Sequence, residues 1–234
     1  MSAIALTPQQ FVLAVQRAFK PLAAPSRAAQ MKAYLLDQFE FLGLQAPVRR
    51  QAVKDIGKVQ WQSAHDVFAV AELLWQKPQR EYRYTAVDLL RKHGSMLGVS
   101  DLPALQALLL RDPWWETVDG LSAVIADIMH AAVLQNPKAA VAMDVWLKHT
   151  SHWVRRSAML HQLGWRLDTD TTRLFGYAQQ LADDKEFFIR KAIGWALRDY
   201  ARWNPQAVTE FLVTHRARLS ALTVREAAKH LTSH

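Results

Sequence analysis

Apolar residues recur along this chain at the three- and four-residue spacing of amphipathic helices, and no segment alternates apolar and polar residues as a half-buried strand does. The few prolines and glycines fall between these periodic segments, where they start or stop helices. We therefore predict an all-α protein. The predicted helices span residues 7–20, 25–39, 47–57, 63–76, 82–92, 101–110, 113–134, 168–181, 185–200, 204–216 and 223–231, with two more that start at 136 and 151.

A short pattern recurs within this series: an apolar residue, an arginine, and a small residue two positions further on. Arg50 and Arg83 are 33 residues apart, Arg156 and Arg190 are 34 apart, and Arg190 and Arg225 are 35 apart. A period near 35 built from helix pairs is typical of HEAT-like helical repeats. We predict one repeat domain over residues 1–234, a solenoid of about six helix pairs with a concave basic groove, in which the helices within 7–39 cap one end.

One copy of the pattern lacks its arginine, and the period places Asp119 there, after the apolar Val118. Equivalent positions of stacked repeats line one surface, so we expect a row of arginines interrupted by one aspartate. The alternative is that each of these residues only ends a helix or lies on a solvated face.

The helix that carries Asp119 is predicted to start with Asp112 as its N-cap and Pro113 at its first position. Trp115 and Asp119 are then four residues apart on one face. Trp195 is the other unusual tryptophan, because small residues flank it and arginines lie close in sequence. Most of the nine tryptophans are expected in the core, among them Trp61, Trp75, Trp146, Trp153 and Trp203.

Composition narrows the class of partner. The chain has 234 residues, no cysteine and a formal net charge of +8. This surplus of positive charge favours a polyanionic partner such as nucleic acid. The alternative of a basic protein without such a partner stays open. No cysteine is available for a disulfide or a thiolate site, which fits a cytoplasmic protein. We find no signal peptide and no run of ~20 apolar residues, and we predict no membrane span.

The predicted row of arginines gives the positive net charge a function, because arginines spaced one per repeat can follow a phosphate backbone. Arg155 is expected to turn away and be structural. The sequence has no glycine-rich phosphate loop. The arginines expected to face DNA are Arg50, Arg83, Arg156, Arg190 and Arg198.

An aspartate among arginines is expected to be ionised and to stabilise positive charge. Glycosidic cleavage develops such charge on the sugar, and a leaving base that is already cationic needs no protonation. The carboxylate could also orient or deprotonate the attacking water, and an indole face attracts a cation.

The residues at these positions carry a family resemblance. Residues 114–119 (WWETVD), 153–158 (WVRRSA) and 185–198 (KEFFIRKAIGWALR) resemble the DNA alkylation repair family, the AlkD-like DNA glycosylases. Tyr34, residues 39–43 (FEFLG) and residues 47–50 (PVRR) match the N-terminal pattern of that family. The resemblance covers roughly residues 8–231.

The resemblance implies an enzyme with a HEAT-like fold that excises cationic N3- and N7-alkylpurines from duplex DNA, with no metal and no cofactor. It implies that Asp119 is the catalytic carboxylate, that Trp115 and Trp195 flank the deoxyribose of the lesion, and that Arg156 contacts the backbone. Two positions depart from the family pattern: Ala46 replaces a hydroxyl side chain, and Gly164 lacks a basic one found in some relatives. Both concern DNA affinity rather than chemistry. Tyr34, Arg50 and Arg198 match further DNA-contacting positions.

The expected partner is double-stranded DNA with alkylated purines, bound by a monomer that needs no protein partner. A second hypothesis is a non-catalytic HEAT-like scaffold that binds damaged or branched DNA, because some relatives have lost the catalytic carboxylate. The presence of Asp119 together with both tryptophans favours the enzyme.

Overall fold

A computed structural model describes residues 6–231, and within that range every regular element is helical. One isolated parallel bridge, between Glu40 and Gln79, is the nearest approach to a strand in the described range. The predicted all-α class is confirmed. The α-helices are α1 (Pro8–Phe19), α2 (Pro25–Tyr34), α3 (Ala46–Ala52), α4 (Ala64–Trp75), α5 (Arg80–Lys92), α6 (Leu102–Leu110), α7 (Trp115–Gln135), α8 (Val141–Trp146), α9 (His152–Leu160), α10 (Thr171–Gln180), α11 (Phe187–Ala201), α12 (Pro205–Thr214) and α13 (Ala221–Ala227).

Capping residues set most of the helix starts. Thr7, Ser63, Ser151 and Asn204 each accept a hydrogen bond from a backbone N–H of the following turn, as their positions in the sequence predict. The helix predicted from residue 168 starts later, because Asp170 is the residue that caps α10. A short 3-10 turn, Arg166–Asp168, precedes it.

Helix α2 ends at Tyr34, five residues before the predicted end. The chain leaves the helix through Leu36 and Asp37, whose φ angles of 57° and 59° are left-handed. Tyr34 is left 73% exposed at this turn.

Glu81 of α5 fixes the loop that follows α2. This fully buried carboxylate accepts hydrogen bonds from the backbone N–H groups of Leu42, Gly43 and Leu44. Gly43 has a φ of 90°, and a Cβ there would lie 2.3 Å from the carbonyl oxygen of Ala24. A side chain does not fit this approach, so the loop that carries residues 39–43 requires glycine at this position.

The chain divides into two compact units, Met1–Leu97 and Gly98–His234. In the first unit, α1 packs on α3 and α4, and α5 packs on α3 and α4. In the second unit, α7, α9, α11 and α13 each pack on the next. This succession matches the stacking expected of the second helices of consecutive repeats. The prediction of one continuous repeat domain over residues 1–234 stays a prediction.

Helix α7 is the longest helix among the described residues. By length and a mean hydropathy of 1.5 it is apolar enough to cross a membrane. Half of that stretch is buried, however, and α7 packs on α6 and α9. Its apolar composition is therefore explained by its place in the core.

Tryptophan burial follows the sequence prediction at four of five positions. Trp61, Trp75, Trp146 and Trp153 are all buried, as predicted. The prediction for Trp203 is wrong: its side chain lies beyond the end of α11 and is 42% exposed. The guanidinium of Arg166 lies 5.4 Å from the centre of its ring, which covers part of the indole.

His161 is a fully enclosed titratable group of the second unit. Its Nδ1–H donates to the carbonyl oxygen of Ala158 over 2.6 Å, and its ring lies against Trp165 and Tyr177. Burial lowers the pKa of His161 from 6.5 to about 4. The imidazole is therefore neutral in the folded protein at neutral pH.

We predict that acid destabilises the fold through His161. Between pH 6.5 and 4 the unfolded chain binds a proton at this residue and the folded chain does not, so unfolding becomes easier as the pH falls. Over that range the loss amounts to about 3 kcal/mol. Urea unfolding at a series of pH values measures it. His161→Phe keeps the ring contacts and should remove this part of the pH dependence. If the free energy of unfolding of the variant depends on pH as strongly as that of the wild type, His161 does not titrate as stated.

Candidate active site

The start of α7 differs from the sequence prediction. Trp114, with extended backbone angles, is the N-cap, and Trp115 is the first helical residue. The predicted cap at Asp112 is wrong, because Asp112 has a left-handed φ of 47° and lies outside the helix. The Trp114 ring packs on Trp153 and Phe188, at 6.0 and 5.6 Å between ring centres. With Trp114 held in its extended conformation by this packing, the helix begins at Trp115.

The shorter helix preserves the predicted pair of side chains. Trp115 and Asp119 remain four residues apart on α7, one turn from each other. The Trp115 side chain is half-buried. The prediction that these two residues share a face of one helix is confirmed.

Asp119 is held by Arg156 of α9 through two parallel hydrogen bonds. Arg156 Nε donates to one carboxylate oxygen over 2.7 Å, and Nη2 donates to the other over 2.9 Å. The Arg156 side chain is 1% exposed, whereas that of Asp119 is 24% exposed. The arrangement is a bidentate ion pair that is buried on its cationic side and open on its anionic side. Each carboxylate oxygen accepts one hydrogen bond from Arg156, which leaves it a further lone pair.

The remaining contacts of Arg156 tie three helices together. Its Nη1 donates to the backbone carbonyl of Phe188 in α11, and its guanidinium lies 5.1 Å from the centre of the Trp195 ring. Close by, the hydroxyl groups of Ser122 in α7 and Ser157 in α9 share a hydrogen bond of 2.6 Å. Helices α7, α9 and α11 are thus fixed around the carboxylate.

Trp195 lies among cations. Besides Arg156, the ammonium of Lys191 is 5.4 Å from the ring centre and the guanidinium of Arg198 is 6.0 Å from it. The Trp195 side chain is half-buried. The structure therefore brings Asp119, Arg156 and Trp195 into one site, as predicted, and adds Lys191, which the sequence did not single out.

The predicted row of arginines differs from residue to residue. In the first unit, Arg50 is exposed and paired with Asp88, whereas Arg83 is 6% exposed and lies over Trp75. In the second unit, Arg156 is buried. The five arginines expected to face DNA therefore differ in exposure, and the guanidinium groups of Arg83 and Arg156 turn inward. A contact of either residue with DNA stays a prediction.

The other two arginines of the row are half-buried and hydrogen-bonded. Arg190 Nε donates to the backbone carbonyl of Asp184 over 2.9 Å, and Arg198 Nη1 donates to Glu226 over 3.2 Å. Arg155 bonds the carboxylate of Asp184 and two backbone carbonyls, which confirms that it is structural.

The two positions that depart from the family pattern are both exposed. Ala46 is the first residue of α3. Gly164 has a φ of 83°, and its N–H donates to Asp199 over 2.8 Å. A basic side chain at this backbone conformation would be strained, which explains the glycine. Among residues 6–231, no group of three or more His, Asp or Glu side chains is arranged to hold a metal ion.

The chain is similar to known proteins over most of its length. Residues 15–231 match the family model described as "DNA alkylation repair enzyme". Among solved structures, the "Predicted DNA alkylation repair enzyme from Enterococcus faecalis" has a TM-score of 0.84 and 30% identity, over 91% of this chain and 98% of that one. The comparison with curated protein sequences finds no match.

Two further solved structures share the fold. AlkD2 from Streptococcus mutans has a TM-score of 0.63 and 19% identity, over 88% of this chain and 100% of that one. The protein smu.31 from Streptococcus mutans UA159 has a TM-score of 0.58 and 20% identity, over 73% of this chain and 86% of that one. At these identities the likeness concerns the fold alone.

Gly194 sets the spacing between α11, which carries Trp195, and α13. A Cβ at this position would lie 2.5 Å from the Cβ of Glu226 and 3.0 Å from the carbonyl oxygen of Thr223. We predict that Gly194→Ala forces the helices apart and lowers the free energy of unfolding by about 1–3 kcal/mol. Gly176→Ala is the matched control: it lies within α10 with no atom within 4 Å of the added Cβ. The control should be neutral or stabilise by up to about 1 kcal/mol. Equal effects in urea unfolding would contradict the close approach.

Proposed function

Because the chain belongs to the DNA alkylation repair enzyme family, we propose that it is a monofunctional DNA glycosylase for alkylated purines. Its reaction is hydrolysis of the N-glycosidic bond of cationic N3- and N7-alkylpurines in duplex DNA, as in base excision repair. The observation that carries the proposal is the Asp119 carboxylate, fixed by the buried Arg156 and open on its other side.

The chemistry follows from one fixed carboxylate. As the bond to a cationic base breaks, positive charge develops on the deoxyribose, and an anion held in place beforehand stabilises that charge without having to reorganise. The base leaves as a neutral molecule, so no acid has to protonate it. The lone pairs that Arg156 leaves free on Asp119 also suit the orientation or deprotonation of the attacking water.

The proposed roles of the aromatic residues are contacts with the sugar. Trp115 precedes Asp119 by one turn of α7, and Trp195 lies against the guanidinium that binds Asp119. Both are half-buried, so part of each indole is open to a ligand. Many glycosylases extrude the base into a pocket. Here the indoles and the carboxylate would act on the deoxyribose, and extrusion is not required.

Arg156 has a different role in this proposal from the one that the family resemblance implies. A guanidinium that is 1% exposed and donates to Asp119 and Phe188 is placed to orient the carboxylate. Phosphate contacts would come from more exposed cations, such as Arg50 and Arg198, in keeping with the net charge of +8. We expect a monomer to bind duplex DNA through such contacts, with an affinity that falls as salt rises.

The experiment that tests the function is base release from duplex DNA that contains 7-methylguanine. At saturating protein, under single-turnover conditions, we expect the free base and an abasic strand that alkali cleaves. DNA binding without any release would instead favour a non-catalytic scaffold that binds damaged or branched DNA.

We predict that Asp119→Asn slows release at saturating protein by at least about 100-fold, because the developing sugar cation loses its counter-charge. The amide also leaves the buried guanidinium without an anion, so stability should fall by about 3–5 kcal/mol. Thermal melts therefore accompany the assay, and rates are compared below both transitions. Asp127→Asn removes the same charge from an exposed position of α7 and should keep the wild-type rate. An Asp119→Asn variant that releases the base at the wild-type rate would refute the assigned role.

A further inference from the structure

Glu226 of α13 is a buried carboxylate to which the reaction proposed above assigns no role. Its side chain is 5% exposed and accepts hydrogen bonds from Lys191, Arg198 and Lys229 over 2.9, 3.2 and 2.9 Å. Hydrogen bonds from Lys229 and Lys191 lower the pKa of Glu226 to about 2, against the opposing effect of burial. The group is an anion at any working pH.

Two of these three cations lie beside Trp195. Lys191 is four residues before Trp195 on α11, and Arg198 is three residues after it, so all three share a helix face. Their charged groups are within 6.0 Å of the centre of the indole ring. Glu226, on the neighbouring helix, therefore bonds the cation that precedes Trp195 on α11 and the cation that follows it.

The geometry indicates that this arrangement depends on Glu226. Lysine and arginine side chains have high rotamer entropy, and on an exposed helix face they extend into water. Here each is tied to one carboxylate, whose own position is fixed by the close approach of α13 at Gly194. Lys191 and Arg198 are 23% and 26% exposed, and each has N–H groups beyond the one that bonds Glu226.

We propose that Glu226 is a positioning residue that holds Lys191 and Arg198 beside Trp195, so that DNA phosphates next to the lesion meet two fixed cations. Lys191 thereby joins Arg198 as a phosphate-binding residue. The expected effect on the rate of base release rests on the proposed glycosylase function. The expected effect on the order of the Lys191 and Arg198 side chains rests only on the contacts between α11 and α13.

The competing explanation is that Glu226 only clamps α13 to α11. Both explanations predict that Glu226→Gln lowers the melting temperature. The positioning role requires a changed environment of the Trp195 indole in the folded variant, and the two explanations differ in the rate of base release at saturating protein. Glu210→Gln is the matched control, because it removes one exposed carboxylate of α12 in the same unit.

The first measurement needs no DNA. The indole N–H resonance of Trp195, assigned by its loss in Trp195→Phe, is recorded by two-dimensional ¹H–¹⁵N NMR. In Glu226→Gln the two cations are released from their anchor, so we expect this resonance to shift or broaden. In Glu210→Gln it should stay in place. An unmoved Trp195 resonance in folded Glu226→Gln overturns the proposal.

The second measurement is single-turnover release of 7-methylguanine at saturating protein. We expect Glu226→Gln to lower this rate by about tenfold, because reacting groups that are misplaced by a fraction of an ångström react more slowly. In a background with Lys191→Met and Arg198→Met, the same substitution should have little further effect. A wild-type rate in Glu226→Gln, or an undiminished effect in that background, supports the clamp and overturns the positioning role.

The outcomes separate the two proposals. If the wild-type protein releases no base, the glycosylase function fails, and the Trp195 resonance still decides whether Glu226 orders the cations. If Glu226→Gln does not fold, Glu226→Asp replaces it, since it keeps the charge and shortens the arm by one methylene group. That variant should shift the resonance and lower the rate to a smaller extent, and no change in either would overturn the proposal.

Discussion

The second unit depends on the ion pair between Arg156 and Asp119. A guanidinium that is 1% exposed needs an anion, because a buried charge without a partner costs several kcal/mol. Arg156 bonds α7 through Asp119 and α11 through the carbonyl of Phe188, so these helices cannot separate without leaving it unpaired. The same two hydrogen bonds fix the carboxylate in direction while leaving it open. Stability and the proposed chemistry therefore rest on one interaction.

Much of this site could be predicted because a repeat protein places equivalent residues on stacked helices. The period of about 35 residues located Asp119 relative to Arg156, and the structure joins them across α7 and α9. The direction of each arginine could not be predicted in this way. Long side chains reach either the interior or the solvent from the same helix position. Arg83 and Arg156 turn inward, and Arg50 turns outward.

Local sequence signals mispredicted the structure where tertiary packing opposed them. Asp112 and Pro113 have the composition of a helix start, but the packing of Trp114 on Trp153 and Phe188 delays the helix. The role of Glu226 could not be predicted from the sequence, because its partners Lys191 and Arg198 are 35 and 28 residues away, on another helix. A carboxylate gains such a role only when two helices approach closely, as they do at Gly194.

One fixed carboxylate is sufficient only if the leaving base already carries positive charge. The most direct test compares release of 7-methylguanine and of neutral hypoxanthine from otherwise identical duplexes, under single-turnover conditions at saturating protein. The account predicts release of the cationic base and none of the neutral one above the uncatalysed background. Release of both at similar rates would contradict it, because the neutral base would need a proton donor that this mechanism does not contain.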